Sequence, residues 1–191
     1  MTYVIQSGVG TTANDGQDAQ GSHCSCARTT DRSRRHPLKS LRIGELAPEF
    51  DLPDQTGTQR SLTSLLEEGS VVLFFYPAAL SGGCTKEACH FRNLKAEFAA
   101  AGAQPVGISM DTVDAQAQFD GKESLGMPLL SDADGAVATA FGVRRKYITP
   151  VKRATFVIAP DRRIIEVIES EWSMDKHADT ALQVLGAPVK R

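Results

Sequence analysis

A chain of 191 residues, 41% hydrophobic and 23% charged, has room for one domain with a sizeable core and the composition of an ordinary soluble globular protein. Its formal net charge of −2 argues against a basic field of the kind that grips nucleic acid or an anionic membrane. No run of about 20 apolar residues is present to span a bilayer, and the N-terminus lacks the charged-then-apolar pattern of a secretory signal, so a cytoplasmic location is expected.

Residues 1–40 read as a tail. They are rich in Gly, Ser, Thr, Gln, Asp and Arg, and they hold too few large apolar side chains to offset the entropy of ordering. Within them, His23, Cys24 and Cys26 do not have zinc-finger spacing. From Leu41 to Arg191 the texture is that of a folded domain. Phe50–Leu52 and Gln59–Leu62, flanking Asp54–Gly57, predict a short hairpin, and Ser64–Leu66 a helical turn. Val71–Tyr76 is a continuous apolar, β-branched and aromatic run, so a buried central strand is expected. Ala88, Phe91, Leu94 and Phe98 share a face and predict one helix over 85–101, closed by Gly102.

A second buried strand follows over 104–109. Next come a helix over 112–123, a short strand at Leu129–Leu130, and a helix over 134–141 closed by Gly142. Thr155–Ile158 and Ile164–Ile168 bracket Pro160–Arg163 as a hairpin, and a last helix runs over 175–185 to Gly186. This order describes an α/β sandwich, a mixed sheet covered on both faces.

The stretch Tyr76 to Cys89 joins the strongest strand to the strongest helix, where α/β proteins place ligand sites. Cys84 falls at the helix start, whose unpaired N–H groups and partial positive charge favour a thiolate, the nucleophilic form. Gly82 and Gly83 permit a tight turn and close approach of a ligand, and the Ser81 hydroxyl can hydrogen-bond beside the sulfur. Lys86 adds positive potential in the first turn. An isolated cysteine is as often a small buried hydrophobe, but a packing residue does not need two glycines, a hydroxyl and a helix start beside it.

This loop resembles the active-site loop of the peroxiredoxins, in particular the bacterioferritin-comigratory-protein or Q type. The family pattern is Pro, three residues, Thr, two residues, Cys; here it is Pro77, Ser81 and Cys84. Thr85–Cys89, Phe91–Arg92, the opening Gly44–Asp54 and the late Lys152–Ile158 also match, so the similarity runs from about Leu41 to Ala187. The resemblance implies a thioredoxin-like three-layer sandwich with an N-terminal β-hairpin extension, no cofactor and no metal. It implies a thiol peroxidase that acts on hydrogen peroxide and alkyl hydroperoxides, is recycled by thioredoxin or a similar dithiol, and is a monomer.

By the same resemblance Cys84 is the peroxidatic cysteine and Arg153 the active-site arginine that stabilises thiolate and peroxide. Ser81 hydrogen-bonds the peroxide, and Pro77 shields the sulfenate from water. Ser81 replaces the family's usual Thr and Gly82 a frequent Pro; both changes make the loop less preorganised. Cys89 is implied as the resolving cysteine. Five residues on an intact helix separate Cα atoms by about 8–9 Å, beyond the reach of roughly 7 Å for a disulfide, so a Cys84–Cys89 bond requires the helix start to unwind. The alternative for Cys89 is inert packing on the inner helix face.

Other residues read as structural. His90 is expected to be exposed, and His177 belongs to no cluster. Trp172 and Met174 are expected to pack in the core or at its rim. Asp111, Asp114, Asp132 and Asp134 read as helix caps rather than as a metal cluster. Two other functions compete with the peroxidase. A protein thiol–disulfide oxidoreductase would normally carry Cys-x-x-Cys, whereas four residues intervene here. A non-catalytic thioredoxin-fold interaction module would show no selective oxidation of Cys84.

Overall fold

The computed structural model describes residues 40–186. The tail expected before them, with Cys24 and Cys26, lies outside the described residues. Strands β1 (Asp51–Pro53) and β2 (Gln59–Ser61) form the expected hairpin. Asp54 builds its turn: the carboxylate accepts from the N–H groups of Thr56 (2.8 Å) and Thr58 (3.1 Å) and from Arg60 Nε (2.9 Å). Burial pushes the Asp54 carboxyl up, and these hydrogen bonds more than reverse it, leaving it below the usual range. Ser61 and Ser64 then form a reciprocal capping box that starts α1 (Leu62–Leu66).

The main sheet has the order β5-β4-β3-β6-β7. Its strands are β3 (Ser70–Phe75), β4 (Ala103–Ser109), β5 (Leu129–Ser131), β6 (Ala154–Ile158) and β7 (Ile164–Glu169). The first three run parallel, and β6 and β7 are each antiparallel to their neighbour. The period of two on β3 divides the core. Val71, Leu73 and Phe75 meet α1 and α5 (Ala136–Ala140) on one face. Val72, Phe74 and Tyr76 meet α2 (Gly82–Asn93), α3 (Lys95–Ala100), α4 (Val113–Glu123) and α6 (Met174–Val184) on the other. This is the expected three-layer sandwich. Gln55 ties the hairpin to it, donating to Met127 O (3.0 Å) and accepting from Leu129 N–H (2.9 Å).

Two helices differ from expectation. The single helix over 85–101 is two, broken at Leu94, whose φ of −99° and ψ of 10° leave the helical region. Ala88, Phe91, Leu94 and Phe98 are all buried, so the apolar pattern runs through the break without marking it. The break lets Phe91 stack on Phe74 at 4.3 Å between ring centroids while Phe98 packs on Phe91 at 5.7 Å. Helix α5 starts two residues later than expected, because Gly135 takes a left-handed φ of 70° before it. Asp132 and Asp134 do cap it, accepting from Val137, Ala138 and Ala136 N–H. Thr112 caps α4. No described helix is long and apolar enough to cross a membrane.

Candidate active site

The loop after β3 is held by backbone and carboxylate contacts. Tyr76 N–H donates to Ile108 O (3.1 Å), and Ala79 N–H donates to Asp111 Oδ2 (2.7 Å). Asp111 is therefore not a helix cap but the anchor of this loop. Pro77 is half-buried just beyond the strand. The sharp change of direction falls on Leu80, with a left-handed φ of 61°. Gly82 and Gly83 do not supply it: neither has a positive φ, and both are the first residues of α2. Ser81 is the exposed N-cap of α2, but its hydroxyl donates to Ala78 O (3.0 Å) instead of capping the helix. Thr85 N–H closes on Ser81 O (2.8 Å), leaving the N–H groups of the preceding turn without helical acceptors.

Cys84 lies in that first turn with 1% of its surface exposed. Arg153, on the segment entering β6, reaches it: Nη2 is 3.3 Å from Cys84 Sγ, and Nη1 donates to Glu87 Oε2. One planar guanidinium thus bridges the sulfur and a carboxylate one turn along the same helix. Burial disfavours charge on Arg153, but Glu87 and Cys84 more than offset this and hold it protonated. Burial pushes the Glu87 carboxyl up to about 7, against the opposing pull of Arg153. Lys86 does not add to this cluster; it is exposed and pairs with Asp175 at 3.2 Å.

Sequence reasoning missed Glu87 and His177. Glu87 stands among the hydrophilic residues of an amphipathic pattern, yet it is fully buried, and the one available signal was its place one turn after Cys84. His177 is also fully buried, between Thr155 Oγ1 (2.9 Å) and Ser170 O (2.9 Å), with Glu87 Oε1 at 3.7 Å. Burial pushes its imidazole down.

Cys89 is not at this cluster. α2 is continuous through both cysteines, which leaves their Cα atoms about 8–9 Å apart. Cys89 is half-buried, and its thiol donates to Glu123 Oε2 at 3.7 Å. Burial pushes the Cys89 thiol up; Arg92 opposes this and Glu123 adds to it. His90, expected to be exposed, is half-buried and sits 2.8 Å from Asp179 of α6. Met174 is buried as expected, but Trp172 is 93% exposed and packs in no core. Among the described residues no three His, Cys, Asp or Glu side chains converge as a metal site.

Residues 43–167 match the model of the AhpC/TSA family. Peroxiredoxin Bcp of Escherichia coli K12 is 36% identical over 154 residues, covering 78% of this chain and 97% of its own. Among solved structures, peroxidoxin BcpB from Mycobacterium tuberculosis is 56% identical, with a TM-score of 0.74 over 76% of this chain and 97% of that one. A Xanthomonas campestris bacterioferritin comigratory protein, studied for alkyl peroxide reduction activity, is 31% identical with a TM-score of 0.67, covering 72% and 90%. The chain belongs to the AhpC/TSA family as a peroxiredoxin of the bacterioferritin-comigratory-protein and Q type, a thiol peroxidase of thioredoxin-like fold.

Proposed function

We propose that Cys84 is the peroxidatic cysteine, reducing hydrogen peroxide and alkyl hydroperoxides. Its thiolate attacks the distal oxygen, the O–O bond breaks, and the sulfur becomes a sulfenic acid. The leaving oxygen takes a proton and departs as water or alcohol. The observation that carries this reading is the 3.3 Å contact between Arg153 Nη2 and the buried Cys84 sulfur at a helix start. A charged donor and uncapped N–H groups there favour negative charge on sulfur and on the departing oxygen. The Ser81 hydroxyl, on the same turn, supplies a hydrogen-bonding group for the peroxide, and Pro77 restricts the loop that shields the sulfenate.

Cys89 resolves the sulfenic acid in this scheme. It attacks the Cys84 sulfur, water leaves, and a Cys84–Cys89 disulfide forms once the first turns of α2 unwind. An external dithiol of the thioredoxin kind then supplies two electrons and restores both thiols. The burial of Cys84 favours this order of events over direct thiol–disulfide exchange with a protein, because a peroxide is small enough to reach a sealed sulfur and a protein disulfide is not.

Stopped-flow oxidation with hydrogen peroxide and an organic hydroperoxide tests the reading. Cys84 is expected to react far faster than free cysteine, and Cys84→Ser to abolish the reaction. A wild-type rate equal to that of free cysteine would remove the peroxidatic assignment.

A further inference from the structure

Behind Arg153 lies a buried acid–base pair that the peroxide scheme does not use. Glu87 Oε2 accepts from Arg153, but Glu87 Oε1 is buried with no hydrogen-bond partner. A sealed carboxylate oxygen without a donor is costly and needs an explanation. Its neighbour is His177 Nδ1, 3.7 Å away, and both side chains have no exposed surface. His177 Nε2 faces the Ser170 carbonyl at 2.9 Å. A carbonyl only accepts, so Nε2 carries a hydrogen in either charge state. In the neutral ring Nδ1 accepts from the Thr155 hydroxyl at 2.9 Å, and Glu87 Oε1 is left bare. In the protonated ring Nδ1 becomes a donor on the side where Thr155 Oγ1 and Glu87 Oε1 lie.

We propose that Glu87 and His177 share one exchangeable proton that governs how far Arg153 is committed to Glu87 and how far to Cys84. His177 is thereby a positioning residue for the peroxide reaction. The inference rests on the reading of Cys84 as peroxidatic. With the proton present, the carboxylate's charge is cancelled inside the cluster, and the guanidinium charge is left to the sulfur and the peroxide. With the proton lost to solvent, the carboxylate competes with Cys84 for Arg153.

The surrounding charges are compatible with such sharing. Glu87 faces Arg153 ahead of β6, Glu171 in the β7–α6 turn and His177 on α6, and Cys84 of its own helix lies on the other arm of the Arg153 guanidinium. His177 faces Arg153 and Lys176, which oppose its charge, and Glu171 and Glu87, which favour it. Burial pushes the carboxyl up to about 7 and the imidazole down, which removes the ordinary order of proton affinity, imidazole above carboxylate, between them.

The rate constant for oxidation of Cys84 by hydrogen peroxide, followed against pH, tests the inference. Thiolate absorbance measured in parallel, as the difference between wild type and Cys84→Ser, reports the ionisation of Cys84 itself. The wild-type rate is expected to rise with the thiolate and then fall through a second ionisation that the absorbance does not follow. Glu87→Gln and His177→Gln are each expected to abolish that second limb; glutamine at 177 keeps a donor for Ser170 O and removes the titrating ring. A single-limbed wild-type profile, or a second limb that survives in His177→Gln, would overturn the shared proton. Should His177→Gln not fold, the wild-type imidazole nitrogen resonances decide: they are expected to titrate together with the second limb, and resonances unmoved across it would overturn the proposal. A wild-type protein no faster than free cysteine at any pH would instead remove the peroxidatic reading, and this inference with it.

Discussion

The Cys89 thiol donates to the Glu123 carboxylate at 3.7 Å, so the second cysteine of α2 is tied to α4 while the first is tied, through Arg153, to the approach to β6. The two sulfurs that the proposed cycle must join are held on different sides of one continuous helix. Glu123 also disfavours the Cys89 thiolate, which is the form that attacks a sulfenic acid. Glu123→Gln removes that opposing charge and is therefore expected to speed disulfide formation after a single equivalent of peroxide. Quenched-flow mass spectrometry of alkylated thiols reads the rate. An unchanged rate would mean that Glu123 does not restrain Cys89.

Arg153→Lys keeps a positive charge but loses the planar fork that spans Cys84 and Glu87. The peroxide rate constant is expected to fall by about 100-fold, the scale of losing one preorganised donor at a developing charge. Far-ultraviolet circular dichroism should remain that of the folded protein.

Glu87 gives stability a pH dependence of fixed sign. Its carboxyl rises from an ordinary 4.5 to about 7 in the folded chain. The folded state thus holds a proton that the unfolded state has already released, and stability from this group is lost as pH climbs through that window. The Tm of the wild type relative to Glu87→Gln is expected to decrease between pH 4.5 and 7. A difference that stays flat or grows would show the carboxyl is not raised by burial. His177, pushed down by burial, contributes with the opposite sign, losing stability as pH falls.

Phe91 holds the C-terminal half of α2 against the sheet, fully buried and stacked 4.3 Å from Phe74. Phe91→Ala is expected to cost about 3–5 kcal/mol, as large buried aromatics do. Urea titration of the reduced protein measures it.

The sequence by itself determined the layers of this fold and the place of Cys84, the proposed nucleophile. Val71–Phe75 is apolar on both faces, and only a central strand buries both. Cys84 had to fall at a helix start because the apolar period of Ala88 and Phe91 begins directly after it. Resemblance supplied Arg153, which no local pattern marks. What the tertiary structure alone decided lies across elements that are distant in the chain. The break at Leu94 is invisible to periodicity because the residues on both sides of it point inward. Leu80, and not Gly82 or Gly83, takes the left-handed turn that the paired glycines predict. His177 reads as an isolated histidine on a late helix, yet α6 and α2 pack on the same face of the sheet and seal it against Glu87. A local pattern records which face of an element is apolar; it does not record which polar side chains two packed elements trap between them, and in this chain the carboxylate and imidazole behind Arg153 are trapped in that way.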